Sequence, residues 1–319
     1  MSDRFSRAIF SVSQTGTLVY QTGHSEFGSQ LTIFDREGHV LDTIGDRNTM
    51  YVPRYSPDEN RIAVDILDLA SGNIDIWIYD VRRGIRTRLT FDSTISIAPC
   101  WSPDGNRIAF TSHGDSIWET YIKDASGAQP ARRVAATPRN TYVTCWSPDA
   151  SYLAYIIPDS SGKNDIGILD LEQDSVIRRF TETPFKEVPQ DFSSDGRWLA
   201  YTSDESGGDE VYVTSFPNPT GKWQISLAGG TRPRWGAKDT ELYYVDESDR
   251  IMVAQVDGSG PSLTVGEVTP LFEARGFRTG SFYDVSMNGQ RFLVNLLPRS
   301  TEQVPLKLVL NWPEELKQP

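Results

Sequence analysis

Cysteine and histidine are nearly missing from this 319-residue chain, which holds only Cys100 and Cys145 and, as histidines, His24, His39 and His113. Two cysteines do not make the disulfide framework of a small secreted domain. With no His or Lys beside either of them to activate it, both are expected as reduced, buried thiols. The histidines are not paired at a ligand spacing, which argues against a triple-His metal site. No long hydrophobic run occurs, at Met1 to Phe10 or later, so neither a secretory leader nor a membrane-spanning helix is expected, and the expected location is cytoplasmic. Helical periodicity is confined to the short stretch Pro313-Glu314-Glu315-Leu316-Lys317. Positive charge is also in deficit: the net charge is -12, without a basic cluster to offset it. An acidic surface repels phosphate backbones, so nucleic acid is not an expected partner, and the acidity reads as solubility. There is no G-x-S-x-G elbow, no Gly-rich loop ahead of a Lys strand, no His-Arg-Asp and no Asp-Phe-Gly, which excludes an elbow serine hydrolase and a kinase.

What the chain does have is repetition. A phrase built on Ser-Pro-Asp-Gly, preceded by an aromatic or β-branched residue and followed by an apolar strand, recurs with its serine position at Ser13, Ser56, Ser102, Ser147, Ser193, Gly236 and Ser286. The intervals of 43 to 50 residues are those of propeller blades. Pro presets the turn, Asp bonds nearby amides and Gly accepts a positive φ, so each phrase is a tight hairpin. Further strands follow, as in Asp75-Ile76-Trp77-Ile78-Tyr79-Asp80 and Arg86-Thr87-Arg88-Leu89-Thr90, joined by an Asp-to-Gly turn. The expected fold is all-β, a single propeller of four-stranded antiparallel blades, seven preferred and six as the alternative. Residues 1–7 are read as an amino-terminal extension, 8–312 as the propeller and 313–319 as a tail. The chain ends are expected to meet, with the strand at Phe10 beside the blade that contains Phe292.

Enzymatic propellers gather polar groups where their innermost strands line the central channel. The residue before each anchor is Ser11, Arg54, Cys100, Cys145, Asp191, Arg234 and Asp284. One reading of this ring is a set of interblade ion pairs, because a buried charge demands a partner. The other is an anion or sugar pocket of Arg54, Gln190, Asp191, Arg234, Tyr283 and Asp284, with Arg54 two blades beyond Asp284. Candidate acids or bases are Asp191, Glu187 and Asp284. No cofactor is certain, but Asn140, Glu187, Asp191 and Asp284 have the oxygen chemistry to hold calcium in the channel. The recurring Trp101, Trp146, Phe192 and Trp235 read as blade-to-blade packing rather than a carbohydrate platform.

The copies Trp101-Ser102-Pro103-Asp104-Gly105 with Ile108-Ala109-Phe110, and the Arg88-Leu89-Thr90 ending, resemble the TolB-like propeller family. Gly16-Thr17-Leu18-Val19-Tyr20, Phe192-Ser193-Ser194-Asp195-Gly196-Arg197-Trp198-Leu199-Ala200-Tyr201 and Leu308-Val309-Leu310-Asn311-Trp312 are similar, more narrowly, to the propeller found after bacterial Ser/Thr protein kinase domains and winged-helix regulators. The resemblance implies a non-catalytic module that senses a small polar ligand or docks a protein partner while chemistry or DNA binding sits upstream; a monomer is expected. The alternative is a hydrolase of a glycoside, lactone or phosphoester with its site in the channel.

Overall fold

The computed structural model describes residues 10–13, 17–21, 28–114, 116–134, 139–159, 162–173, 176–273, 283–296 and 306–310, in two compact units. The expected extension 1–7 and tail 313–319 lie outside these residues. One unit is a three-stranded sheet in which Thr17–Gln21 pairs with Phe10–Val12 on one side and with Leu306–Leu310 on the other. The other unit, residues 28–297, is a propeller.

Five of its blades follow the chain. Their inner strands are Arg54–Tyr55, Ser96–Trp101, Tyr142–Trp146, Glu187–Phe192 and Thr231–Gly236, and each leads through two more strands to an outer one. We number these blades first to fifth. The sixth combines both ends of the unit: inner Tyr283–Val285, then Phe292–Leu296, Ser29–Phe34 and outer Val40–Met50. Its outer strand also meets the first blade, through Thr49 with Leu67 and Met50 with Ile66.

The sequence reading divides these terminal strands differently, between a first and a seventh repeat. Phe292 pairs with Phe34 in Ser29–Phe34, so a strand that the repeat count gives to the first repeat lies in the same blade as Phe292. The reason is burial. Leu31, Ile33 and Leu293 pack against the first blade and Phe34, Phe292 and Val294 against the fifth, so these two strands are covered on both faces. The amino-terminal hairpin does pair with a late strand, Leu306–Leu310, but in the separate three-stranded sheet.

The hairpin phrase folds as its residues require. Ser102 Oγ donates to Asp104 Oδ1 at 2.5 Å and accepts the Arg107 amide at 2.9 Å, while the Asp104 carboxylate accepts the Asn106 amide at 3.0 Å. Ser56, Ser147, Ser193 and Ser286 repeat the arrangement, with Asn288 replacing the Asp in the last copy. Gly105, Gly196 and Gly289 take the left-handed conformation that ends the turn.

The core lies between blades. Six apolar clusters each join two neighbours, for instance Ala63, Ile76 and Ile78 of the first with Trp101, Ile108 and Phe110 of the second. The series closes where Leu31, Ile33, Ile44 and Leu293 of the sixth blade meet Tyr55, Ile62 and Val64 of the first. Tyr55, Trp101, Trp146, Phe192, Trp235 and Val285 are all buried in these seams. Truncating such an aromatic to alanine costs about 3–5 kcal/mol.

The outer strands are tied by buried acids at or beside the start of the third strand. Asp75 accepts Thr90 Oγ1 at 3.0 Å and pairs with Arg88 at 2.6 Å, and Asp165 and Glu119 pair with Arg179 and Arg133 in the same way. These pairs explain the arginine of the Arg88-Leu89-Thr90 ending and its counterparts Arg133 and Arg179.

Candidate functional site

Each blade sets one residue on the inner wall, immediately before its anchor. In ring order they are Arg54, Cys100, Cys145, Asp191, Arg234 and Asp284. A one-residue register shift interrupts the inner strands just before Cys100, Cys145, Asp191 and Arg234. Such a bulge re-aims the side chains that follow it.

The four charges form two copies of one device. Asp191 Oδ2 accepts the amide of Trp235 in the next blade at 2.9 Å, and Arg234 Nη1 donates back to the carbonyl of Gln190. Asp284 Oδ2 accepts the Tyr55 amide at 2.8 Å, and Arg54 Nη1 donates back to the carbonyl of Tyr283 at 3.2 Å. In both, the acid of one blade and the arginine of the next exchange hydrogen bonds with each other's backbone. Arg234 Nε lies 3.4 Å from Asp284 Oδ1 and links the two clamps, although it makes no hydrogen bond of its own.

The expected neighbourhood is corrected at one point. Arg54 sits beside Asp284, not two blades beyond it, because the strand carrying Ser11 belongs to the other unit and the ring closes through Ser29–Phe34.

Burial sets the electrostatics. It lowers the Arg54 guanidinium to about 10, with repulsion from Arg234 in the same direction and Asp284 and Asp191 opposing. Burial also works against charge on Arg234, but Asp191 and Asp284 outweigh it and hold that group above its ordinary value. Burial pushes the Asp191 carboxyl up to about 6 against the pull of Arg234 and the Trp235 amide. Cys100 and Cys145 are free, buried thiols. Burial raises both, Cys145 to about 12, so neither is a nucleophile at neutral pH.

The remaining candidates are placed as follows. Gln190 accepts Thr202 Oγ1 at 3.3 Å, and Tyr283 is buried with its hydroxyl donating to the Arg232 carbonyl at 3.0 Å. Glu187 lies on the same strand as Asp191 but four residues earlier, about 13 Å along it. It is buried, with one carboxyl oxygen lacking a partner; burial raises its pKa while Thr181 and Thr183 lower it. Asn140 is exposed on a loop, and its side-chain oxygen accepts the Trp118 amide at 3.0 Å. Among the described residues, the His, Cys, Asp and Glu side chains whose ligand atoms come within 4.8 Å in a group of three are Asp35, Glu37 and His39, an outer turn. Glu187, Asp191 and Asp284 are not gathered in that way.

Sequence reasoning missed Asp65. It is 2% exposed and accepts the amides of Val52 at 2.7 Å and, from the next blade, of Ala98 at 3.4 Å. Burial pushes its carboxyl up to about 6 against those bonds. The available signal was a lone acid inside the apolar strand Ile62-Ala63-Val64-Asp65-Ile66-Leu67. Thr111 accepts the Val143 amide at 3.1 Å from the same position one blade on, and Asn295 donates at 2.7 Å to the carbonyl of Met50, the residue through which the sixth blade's outer strand meets the first blade.

No protein-family model matches the chain. Among curated proteins it is 27% identical over 212 residues to an uncharacterized peptidase, YuxL, of Bacillus subtilis, covering 60% of this chain and 31% of that protein. It is 31% identical over 120 residues to the Tol-Pal system protein TolB of Bordetella pertussis, covering 38% of this chain and 27% of that one. The chain thus spans about a third or less of the length of these relatives. Among solved structures, a putative TolB from Agrobacterium tumefaciens superposes with a TM-score of 0.65 at 17% identity, over 85% of this chain and 99% of that one. At that identity the likeness speaks to the fold, which is that of a TolB-like β-propeller. Among the described residues no helix is long and apolar enough to cross a membrane.

Proposed function

We propose that this chain is a non-catalytic propeller module that docks a protein partner or senses a small polar ligand. The observation that carries the reading is the pair of clamps: Asp191, Arg234, Asp284 and Arg54 are each bonded to the backbone of a neighbouring blade. Groups fixed in that way hold inner strands together and are poorly placed to move protons or to reorganise around a reacting atom. The TolB-like fold and the relative named for the Tol-Pal system support docking. The narrower resemblance to propellers behind kinase domains and winged-helix regulators adds that the partner chemistry sits in another domain.

The second reading is a hydrolase in the channel. It is favoured by Asp191, whose carboxyl is pushed to about 6, by the unpartnered oxygen of Glu187 and by the word peptidase in one relative's name. The separation of Glu187 from Asp191 works against a two-carboxylate mechanism. A calcium ion between Asp191 and Asp284 would face the Arg234 guanidinium, and Asn140 is already occupied, so a cation has less support.

A screen of sugars, lactones and phosphoesters against wild type and Asp191→Asn, reading melting temperature and turnover together, separates the readings. Docking or sensing predicts no turnover, and a rise in melting temperature with one compound would select sensing. Turnover that vanishes in Asp191→Asn would overturn the proposal.

A further inference from the structure

We propose that the turn and outer strand at residues 81–88 of the first blade are a docking surface for an acidic, partly apolar peptide segment of a partner protein. The proposal rests on the docking reading and gives it a place and a chemistry. In a chain of net charge -12, Arg82, Arg83, Arg86 and Arg88 fall within seven residues that contain no acid. This is the basic cluster that the sequence reading, led by overall charge, passed over.

The local structure turns these side chains outward. Asp80 Oδ1 accepts the amides of Arg82 at 3.0 Å and Arg83 at 2.9 Å, and Gly84 closes the turn with a φ of 64°. Both arginines are exposed, and no hydrogen bond or ion pair engages either guanidinium among the described residues. Arg86 is held ready: it lies over the Trp77 ring, 4.8 Å from its centroid, and donates through Nη1 to Tyr79 Oη, which leaves its other donors open. Arg88 is committed to Asp75 and contributes nothing. Ile85 stands between the arginines at 56% exposure, and a shallow hollow of about 340 Å³ opens beside Arg82, lined also by Asn60, Arg61 and Asp80.

The strand Arg86–Arg88 is the outermost of its sheet, and among the described residues one of its backbone edges carries no ladder. An extended peptide can pair with that edge, place carboxylates on Arg82, Arg83 and Arg86, and cover Ile85 with an apolar side chain. Of the corresponding turns, Asp124-Ala125-Ser126-Gly127 and Asp257-Gly258-Ser259-Gly260 carry no arginine, and the single arginine of Asp35-Arg36-Glu37-Gly38 is paired with Glu241. A nucleic acid would gain nothing from Ile85 and would meet Asp80 and the acidic remainder of the chain.

The test is fluorescence anisotropy with a labelled nine-residue peptide of alternating Glu and Val, its Gln/Val counterpart and a polyphosphate oligomer. The expected result is binding of the Glu/Val peptide that weakens with salt, about tenfold or more weaker in Arg82→Glu/Arg83→Glu, and weaker for Gln/Val on wild type. Ile85→Ser should lower affinity severalfold, with melting temperatures unchanged in all variants. Equal binding by the charge-reversed protein, or none by wild type, overturns this surface while leaving the docking reading to the channel screen. Polyphosphate bound as tightly as the peptide and lost in the same variant would replace the peptide by a phosphate ligand and overturn the proposal.

Discussion

At the fourth position of the hairpin phrase, Glu59 and Ala150 hold φ values of 55° and 63° where Gly105, Gly196 and Gly289 hold 68° to 72°. A left-handed L-residue costs about 1–2 kcal/mol, and glycine returns about half of that as lost chain entropy. Ala150→Gly is therefore expected to stabilise the protein by about 0.5–1 kcal/mol, measured as a higher urea midpoint with an unchanged slope. A second residue-scale prediction concerns pH. Asp65 and Asp191 titrate near 6 when folded and near the ordinary 3.8 when unfolded, so between these values the native state binds more protons. Their contribution to stability is thus present below about 4 and lost as pH rises to about 6. Denaturation at pH 4, 5, 6 and 7 should show that decline, and Asp65→Asn should flatten part of it. The hairpin acids Asp58 and Asp104 act the other way: serine hydrogen bonds lower them, so their stabilisation fails only as pH falls below the unfolded value.

At the scale of elements, the hairpins and anchor aromatics were legible because each depends on residues adjacent in sequence: Ser-Pro-Asp-Gly sets a turn wherever it occurs. Which strand closes the ring was not legible. Phe10–Val12 and Ser29–Phe34 both follow the period, and only burial on both faces assigns the latter to the partner of Phe292–Leu296. That assignment makes a prediction in hydrogen exchange. Amides of Leu31, Thr32 and Ile33 should exchange only through global unfolding, whereas the short outer strands Arg86–Arg88 and Arg132–Arg133 should exchange by local opening. Fast exchange at Ile33 would mean that the ring is latched elsewhere.

For the whole molecule, closure and the candidate site are one question. The residue before each anchor gives seven positions, of which Ser11 falls in the other unit and six lie on inner strands of the propeller; that Arg54 and Asp284 are neighbours was not legible, because it depends on how blades are dealt round the ring. Nor does a sequence say whether a charge points at a ligand or at a neighbouring backbone. Asp191, Arg234, Asp284 and Arg54 clamp one blade to the next. The most direct test is a double-mutant cycle on Arg234→Ala and Asp191→Ala followed by urea denaturation. The clamp predicts that each single change costs about 3–5 kcal/mol, because it strands the other charge, and that the double change costs at least about 1 kcal/mol less than their sum. Single changes within about 0.5 kcal/mol of wild type, and additive, would contradict it and return these charges to a ligand.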